Sequence, residues 1–333
     1  MPFVSVVIPL YQTERYIAEA IGSVLAQTFT DFEVIVVDDG SSDRGPDLAR
    51  ATGDERVRVV WQRNRGLAGA RNTGIREAHG KIIAFLDADD RWAPGMLAAH
   101  IAHLARAPNV GVSFAKSRFI DDDGAPMGLV QCPATTHFTA SDIFCRNPIG
   151  NGSAPVIRRA VFDEIEFYDV RLERACWFDE SFRQSEDVEC WTRIAALTAW
   201  DFGYLPVALT DYRVSSGGLS ANTAKQLETW QRFRAKVAGY APALEAAFGA
   251  RAEAYQLRYL ARRAIAGNAN PSPALSMMVR SLGLYPRLAL EEPARTFVTL
   301  AAAVIQKAVP AAIFERCGTF ARLHAARLPG LRV

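Results

Sequence analysis

Lys81-Ile-Ile-Ala-Phe-Leu-Asp-Ala-Asp-Asp90 is the stretch from which the rest of the chain can be read. Ile82 to Leu86 is a short apolar run, the pattern of a strand buried on both faces in a parallel sheet. It stops in three carboxylates, Asp87, Asp89 and Asp90. A buried strand ending this way puts negative charge at the carboxyl edge of a sheet, where open α/β sheets bind ligands. Asp87 and Asp89 are two residues apart, so an extended backbone would point them the same way. Such a pair suits a hard divalent cation that phosphate oxygens also hold. The same residues also describe a strand followed by an acidic turn and a helix cap, and short motifs recur by chance. The surrounding chain decides between the two.

Upstream, Val4–Leu10 is β-branched and apolar, a central strand ended by Pro9. Glu14–Gln27 spaces Ile17, Ile21, Val24 and Leu25 along one helical stripe. Phe32–Val37 is a second buried strand running into Asp38-Asp39-Gly40-Ser41-Ser42-Asp43, and Val57–Trp61 is a third. Gly66–His79 reads as a helix and Lys81–Leu86 as the fourth strand. Strands and helices alternating on short links predict a parallel, doubly wound α/β sheet of the nucleotide-binding type, though no Gly-x-Gly-x-x-Gly follows the first strand.

Downstream, Pro94 opens a helix to about Arg106, and Val110–Ile120 is a strand. Asp121-Asp122-Asp123-Gly124 reads as a solvated hairpin turn with no chemistry. Ala154–Ile157 is a strand and 158–165 a short helix. Ser185 caps a helix to Leu197 with acids in its first turn, and 202–205 is a short strand. Beyond Asn222 the chain reads as helices over 222–238, 242–266, 272–284 and 294–315, punctuated by prolines. A boundary near residue 220 divides residues 1–220 from a helical region, 221–333.

Composition narrows the function. The 333 residues are half apolar with a net charge of +2. From Arg251 onward there are 12 Lys/Arg against 4 Asp/Glu, a net of +8, and the remainder carries −6. A basic excess confined to an apolar helical tail is not a nucleic-acid-binding composition. Five scattered cysteines without paired metal spacing fit a reducing compartment. No basic leader precedes the first strand, so no signal peptide is expected. The most apolar stretch, Thr296–Phe314, contains Gln306, Lys307 and Pro310 and so reads as lying on a membrane surface rather than spanning it. The same helices would nearly equally serve to pack on residues 1–220 or to form a homodimer contact.

Four constellations carry chemistry. Pro9-Leu10-Tyr11 and the Asp38–Asp43 loop bring a ring and a carboxylate to one sheet edge, fit to stack on a base and accept its N–H. Asn64–Gly74 lets a small-residue helix start approach a ligand, with Arg71 in reach of a base or phosphate. Asp87 and Asp89 form the third, and Glu186-Asp187 at a helix start the fourth, where a carboxylate can act as general base. Each also has an ordinary reading as a turn, a packing stripe or a helix-dipole partner.

Together they resemble one family. VSVVIPLY (4–11), VIVVDDGSSD (34–43), NRGLAGARNTGI (64–75), IIAFLDADD (82–90) and SEDVECWTRI (185–194) are similar, in order and spacing, to the inverting family 2 glycosyltransferases of the GT-A fold, over residues 1 to about 215. The resemblance implies that Pro9, Tyr11 and Asp39 hold the nucleoside and that Arg71 helps hold the base or diphosphate. It places Asp87 at the ribose and metal side and Asp89 on a Mn²⁺ or Mg²⁺ ion. It makes Asp187 the base that deprotonates the acceptor hydroxyl, with Glu186 orienting it or touching the acceptor. The implied reaction moves one hexosyl or N-acetylhexosaminyl unit from a nucleotide-sugar, a UDP-sugar above others, to a glycan or lipid-linked acceptor in surface-polysaccharide or lipopolysaccharide assembly. The implied place is the cytoplasm, peripheral on the inner membrane face. A catalytically silent nucleotide- or glycan-binding module and a sugar-nucleotide nucleotidyltransferase are the alternatives. Three features depart from the family pattern. Gln12 stands where Asn follows the first-loop Tyr, no His occurs in Val214–Gly218, and the Gln-x-x-Arg-Trp of processive relatives is missing.

Overall fold

Seven residues, Val4–Leu10, form a strand in which every position is buried, and the sheet is assembled on it. The structure, a computed structural model, describes residues 1–133, 135–214, 223–266 and 273–308. They form two compact units. One takes residues 1–140 and 147–215, and the other takes 141–146 and the described residues after 216.

The first unit runs β1 (Val4–Leu10), α1 (Ile17–Leu25), β2 (Phe32–Asp38), α2 (Gly45–Arg50), β3 (Val57–Trp61), α3 (Gly66–Glu77), β4 (Ile82–Phe85), β5 (Arg91–Trp92), α4 (Met96–Arg106), β6 (Val110–Ile120) and β7 (Pro126–Gln131). After α5 (Ala140–Arg146), most of which groups with the second unit, come β8 (Pro155–Arg158), α6 (Arg159–Ile165), β9 (Phe167–Asp169), β10 (Arg174–Cys176), α7 (Glu186–Leu197) and β11 (Asp201–Arg213). The main sheet is ordered β3-β2-β1-β4-β8-β6-β11-β5, with β7 beside β6. β1 is parallel to β2 and β4, and β2 is parallel to β3. In β1, β2 and β4 the β-branched side chains are buried on both faces, which is why these strands read as continuous apolar runs, while the edge strand β3 is only half-buried. The α3 helix lies close on β1: a Cβ added at Gly74 would sit 2.1 Å from Val7 Cγ1.

The sheet is mixed, as the resemblance to the GT-A fold implies, rather than parallel throughout as the strand–helix alternation alone predicts. β8 is antiparallel to β4 and to β6, while β6 and β11 are parallel. The fold is α/β of the GT-A type, with helices at its C-terminal end. β1, β2, β4, β6 and β11 therefore all leave the sheet at one edge, and β8 enters it there.

Several local expectations change. The strand read as Lys81–Leu86 ends at Phe85, and Asp90 N–H bonds Asp87 C=O at 3.0 Å, so the acidic residues occupy a turn. The extended-backbone argument for Asp87 and Asp89 therefore does not apply. Pro94 does not open α4, which starts at Met96. The Leu97 N–H is capped by Gln27 Oε1 at 2.9 Å, from the end of α1, a partner that local sequence does not reveal. β11 extends well past 202–205 because it pairs with β6 along its length. Ser185 does precede α7, but at φ 62° and without a side-chain cap bond.

The second unit contains α8 (Thr223–Tyr240), α9 (Pro242–Ala266), α10 (Ala274–Leu284), α11 (Leu288–Glu291) and α12 (Pro293–Ala308). Leu257, Leu260, Ala261 and Ala264 of α9 pack with Met277 and Met278 of α10 and Ala303 of α12. Glu253 pairs with Arg234 and Arg280, and Glu292 with Arg258 and Arg146. No helix among the described residues is long and apolar enough to cross a membrane. The expected continuation of the last helix to 315 lies outside the described residues.

Candidate active site

The site is built where β1, β2 and β4 end. Asp39 N–H bonds Leu10 C=O at 2.9 Å, which sets the loop after β2 beside the loop after β1. Tyr11 follows Leu10 and is 51% exposed, a ring with a free face at the edge. Pro9 lies buried within β1. Gln12 has φ 53°, a left-handed conformation that Asn adopts more readily than Gln. Its side chain is held by Ser42 Oγ at 2.7 Å.

Asp39 is almost fully buried, and its carboxylate is heavily engaged. Oδ1 accepts the Arg65 N–H at 2.8 Å and the Gln62 amide at 2.5 Å, and Oδ2 accepts the Gly66 N–H at 2.8 Å. An acid from the loop after β2 thus caps the start of α3, where the helix dipole favours negative charge. Asn72 pins the other side of α3: its Oδ1 accepts the N–H groups of Trp177 and Phe178, and its Nδ2 donates to Phe178 C=O. The approach to α7 is thereby fixed to α3.

Arg71 projects from α3 into the interior and is 2% exposed. Nη1 donates to Glu186 Oε1 at 2.7 Å and Nη2 to Asp87 Oδ1 at 2.9 Å. The side chain expected to reach a base or phosphate instead ties the acidic turn after β4 to the first turn of α7. Burial disfavours its charge, but Asp87, Glu186 and Asp187 outweigh that and hold the guanidinium ionised, with its pKa above the ordinary value. Burial lifts Glu186 to about 7 against the pull of Arg71. Burial also raises the half-buried Asp187, again opposed by Arg71. An acid pushed toward neutrality at a helix start has the character of a general base.

The turn itself is layered. Asp90 faces inward: its Oδ2 accepts the Ser153 hydroxyl at 2.6 Å and its Oδ1 the Arg213 N–H at 2.8 Å. Ser153 Oγ in turn accepts the Asp87 N–H at 2.9 Å. Asp89 is raised to about 6, first by burial and then by the charge of Asp87. Two crowded, like-charged carboxylates are a donor set that a divalent cation would relieve, and oxygen ligands suit Mg²⁺ or Mn²⁺. Among the described residues, no cluster of three or more His, Cys, Asp or Glu forms a complete cage. A cation here would therefore need oxygens from its ligand, as Mg²⁺ sites on phosphates do.

Arg213 closes the site from β11. Nε donates to Asp89 C=O at 2.7 Å, Nη1 to the carbonyls of Asp121 and Asp122, and Nη2 to Glu19 Oε2, with the guanidinium 4.5 Å from the Tyr16 ring centroid. Sequence reasoning named Asp90 among the three acids without a role and passed over Ser153 and Arg213; nothing in the spacing of Asp87, Asp89 and Asp90 says which acid turns inward. The missing His of Val214–Gly218 concerns residues that lie, after Val214, outside the described part.

The sequence profile of Glycosyl transferase family 2 matches residues 5–166. Over that stretch, just under half of the chain, the sequence is that of a glycosyl transferase family 2 domain by similarity. Among the family 2 relatives, the uncharacterized glycosyltransferase EpsJ of Bacillus subtilis is 48% identical over 98 residues, 29% of this chain and 28% of that protein. The UDP-Glc:alpha-D-GlcNAc-diphosphoundecaprenol beta-1,3-glucosyltransferase WfgD of Escherichia coli is 28% identical over 229 residues, 68% of this chain and 82% of that one. The chain spans about a third or less, 28 to 35%, of the length of the first four curated relatives it matches. S. aureus TarS 1–349, solved with UDP-GlcNAc, superposes with a TM-score of 0.60 at 18% identity, over 92% of this chain and 91% of that one, a likeness of fold.

Proposed function

We propose that the chain is an inverting glycosyltransferase that moves one sugar from a nucleotide-diphospho-sugar, a UDP-sugar first among them, to a hydroxyl of a glycan or lipid-linked acceptor. The observation that carries this reading is the joining of Asp87, at the end of β4, to Glu186, at the start of α7, through one buried arginine. It sets a donor-side acid and an acceptor-side acid on one ligand edge.

Tyr11 offers a ring for the nucleoside base, and Asp39 holds the α3 start that borders it. Asp87 and Asp89 would hold a Mn²⁺ or Mg²⁺ ion, which would neutralise the departing diphosphate. Asp187 takes the proton of the acceptor hydroxyl as that oxygen attacks the anomeric carbon from the face opposite the leaving group. One displacement inverts the centre, so no enzyme nucleophile is needed. WfgD uses a UDP-sugar by its name, and TarS binds UDP-GlcNAc, which favours a UDP donor here too.

The test is hydrolysis and transfer from UDP-glucose and UDP-GlcNAc with and without Mn²⁺. Asp187→Asn should lower turnover by about 10²- to 10⁴-fold with UDP affinity unchanged. Asp89→Ala should remove the Mn²⁺-dependent thermal protection given by UDP. Normal turnover in the first variant, or undiminished Mn²⁺–UDP protection in the second, would sink the assignment.

We place the protein at the inner face of the cytoplasmic membrane. The support is α12, which turns Phe297, Val298, Val304 and Ile305 outward in a region of net positive charge. Flotation with anionic liposomes should be lost in a Phe297→Asp, Val298→Asp variant. Equal flotation of variant and parent would refute this location.

A further inference from the structure

We infer that Arg71 is a positioning residue that sets the distance between Asp87 and the Glu186-Asp187 pair, and that it does not touch the nucleotide. The inference rests on the functional reading of those acids given above.

Three walls hold the guanidinium. Its carbon lies 5.9 Å from the Phe85 ring centroid and 5.5 Å from that of Phe178, two rings that themselves meet edge to face. On the third side a Cβ added at Gly152 would lie 2.1 Å from Nη2. With 2% exposure no donor phosphate can approach it, and both Nη atoms already serve carboxylates. A guanidinium is planar and rigid, so two acids bonded to its two Nη atoms are held at a fixed separation. Those acids come from segments about a hundred residues apart in sequence. Lysine could neutralise them but could not span them with fixed geometry. Phe85 is the last residue of β4, and Phe178 belongs to the segment that Asn72 pins to α3. Two of the three walls around Arg71 therefore come from the same two segments whose acids it joins. In the reaction, the carboxylate that takes the acceptor proton must keep its distance from the centre under attack, and small misplacements are costly.

The experiment compares the full chain with Arg71→Lys, Glu186→Gln, the double variant and Gly152→Ala. Each is measured for UDP affinity in Mn²⁺ by calorimetry, for kcat on UDP-glucose, and for melting temperature. Arg71→Lys should cut kcat by about 10- to 100-fold while the UDP dissociation constant stays within about threefold. The double variant should be no worse than Arg71→Lys within about threefold, because both changes break one link. Gly152→Ala, which displaces Nη2 without removing charge, should reproduce the kcat loss in milder form. A tenfold or larger weakening of UDP binding with kcat little changed would instead make Arg71 a nucleotide contact. Losses in kcat that multiply in the double variant would overturn the link. If the wild-type chain neither binds UDP nor turns over UDP-glucose, the functional reading fails separately. The melting temperatures then still decide the link: non-additive shifts support it and additive shifts overturn it.

Discussion

The chain has two acidic turns of nearly the same composition, Asp87-Ala88-Asp89-Asp90 and Asp121-Asp122-Asp123-Gly124, and they live in opposite environments. In the first, Asp90 is 1% exposed and its oxygens are taken by Ser153 and Arg213, while burial and Asp87 push Asp89 upward. In the second, Asp123 is 84% exposed and meets Arg15 in solvent, and Asp121 closes the turn on the N–H groups of Asp123 and Ala125. Yet one side chain holds both turns: Arg213 donates to the carbonyl of Asp89 and to those of Asp121 and Asp122. Acid content therefore says little by itself. What separates the turns is the strand that feeds each one. β4 is buried throughout, and β6 ends half in water beside the exposed β7.

Breaking the shared link should have the largest effect. Arg213→Met takes a donor from three carbonyls, of which Asp121 keeps the Gly124 N–H, and a loss of about 3 kcal/mol is expected by urea unfolding. A loss below about 1 kcal/mol would mean that the turns are held independently. Asp90→Ala strands the Ser153 hydroxyl and the Arg213 N–H but also removes a costly buried carboxyl. The expected cost is about 1–2 kcal/mol, with Asp90→Asn recovering part of it. A neutral result at Asp90 would erase the contrast between the turns. The smallest effect belongs to the second turn. Asp122→Ala combined with Asp123→Ala should change stability by no more than about 0.5 kcal/mol and leave UDP affinity in Mn²⁺ untouched. Gln12→Asn, tested by melting temperature, sharpens the first edge further: Asn suits a φ of 53° better, so a gain of a few tenths of a kcal/mol is expected if Ser42 is still reached.

How legible these features were in sequence follows from their physical origin. β1, β2 and β4 were legible because burial on both faces writes a continuous apolar run. α3 was legible from its small residues, although its apolar stripe is weak. β5, β7, β9, β10, α2 and α5 were not, being two to seven residues long and too short to write a periodic pattern. At the site, Asp87, Asp89 and Asp187 stood out by motif. The partners of Arg71 did not, because Glu186 lies 115 residues away and no local pattern encodes that bond. The same holds for the cap that Asp39 places on α3, and for Gln27 on α4. Local spacing marks where charge sits, and tertiary contact decides what it does.

One consequence of the sheet order concerns ancestry rather than chemistry. β6 leaves the sheet at the ligand edge, and its antiparallel neighbour β8 re-enters there, so the run from Asp121 to Ala154 both departs from and returns to the rim of the site. Outside β7, which pairs with β6, its length is not tied to a strand register. Doubling such an excursion costs only about 0.6 kcal/mol in closure entropy. Lineages can therefore lengthen, shorten or exchange this one segment and reshape what meets Asp187, while the β1-β2-β4 scaffold is inherited unchanged. Divergence here would proceed by insertion and deletion before it proceeds by substitution.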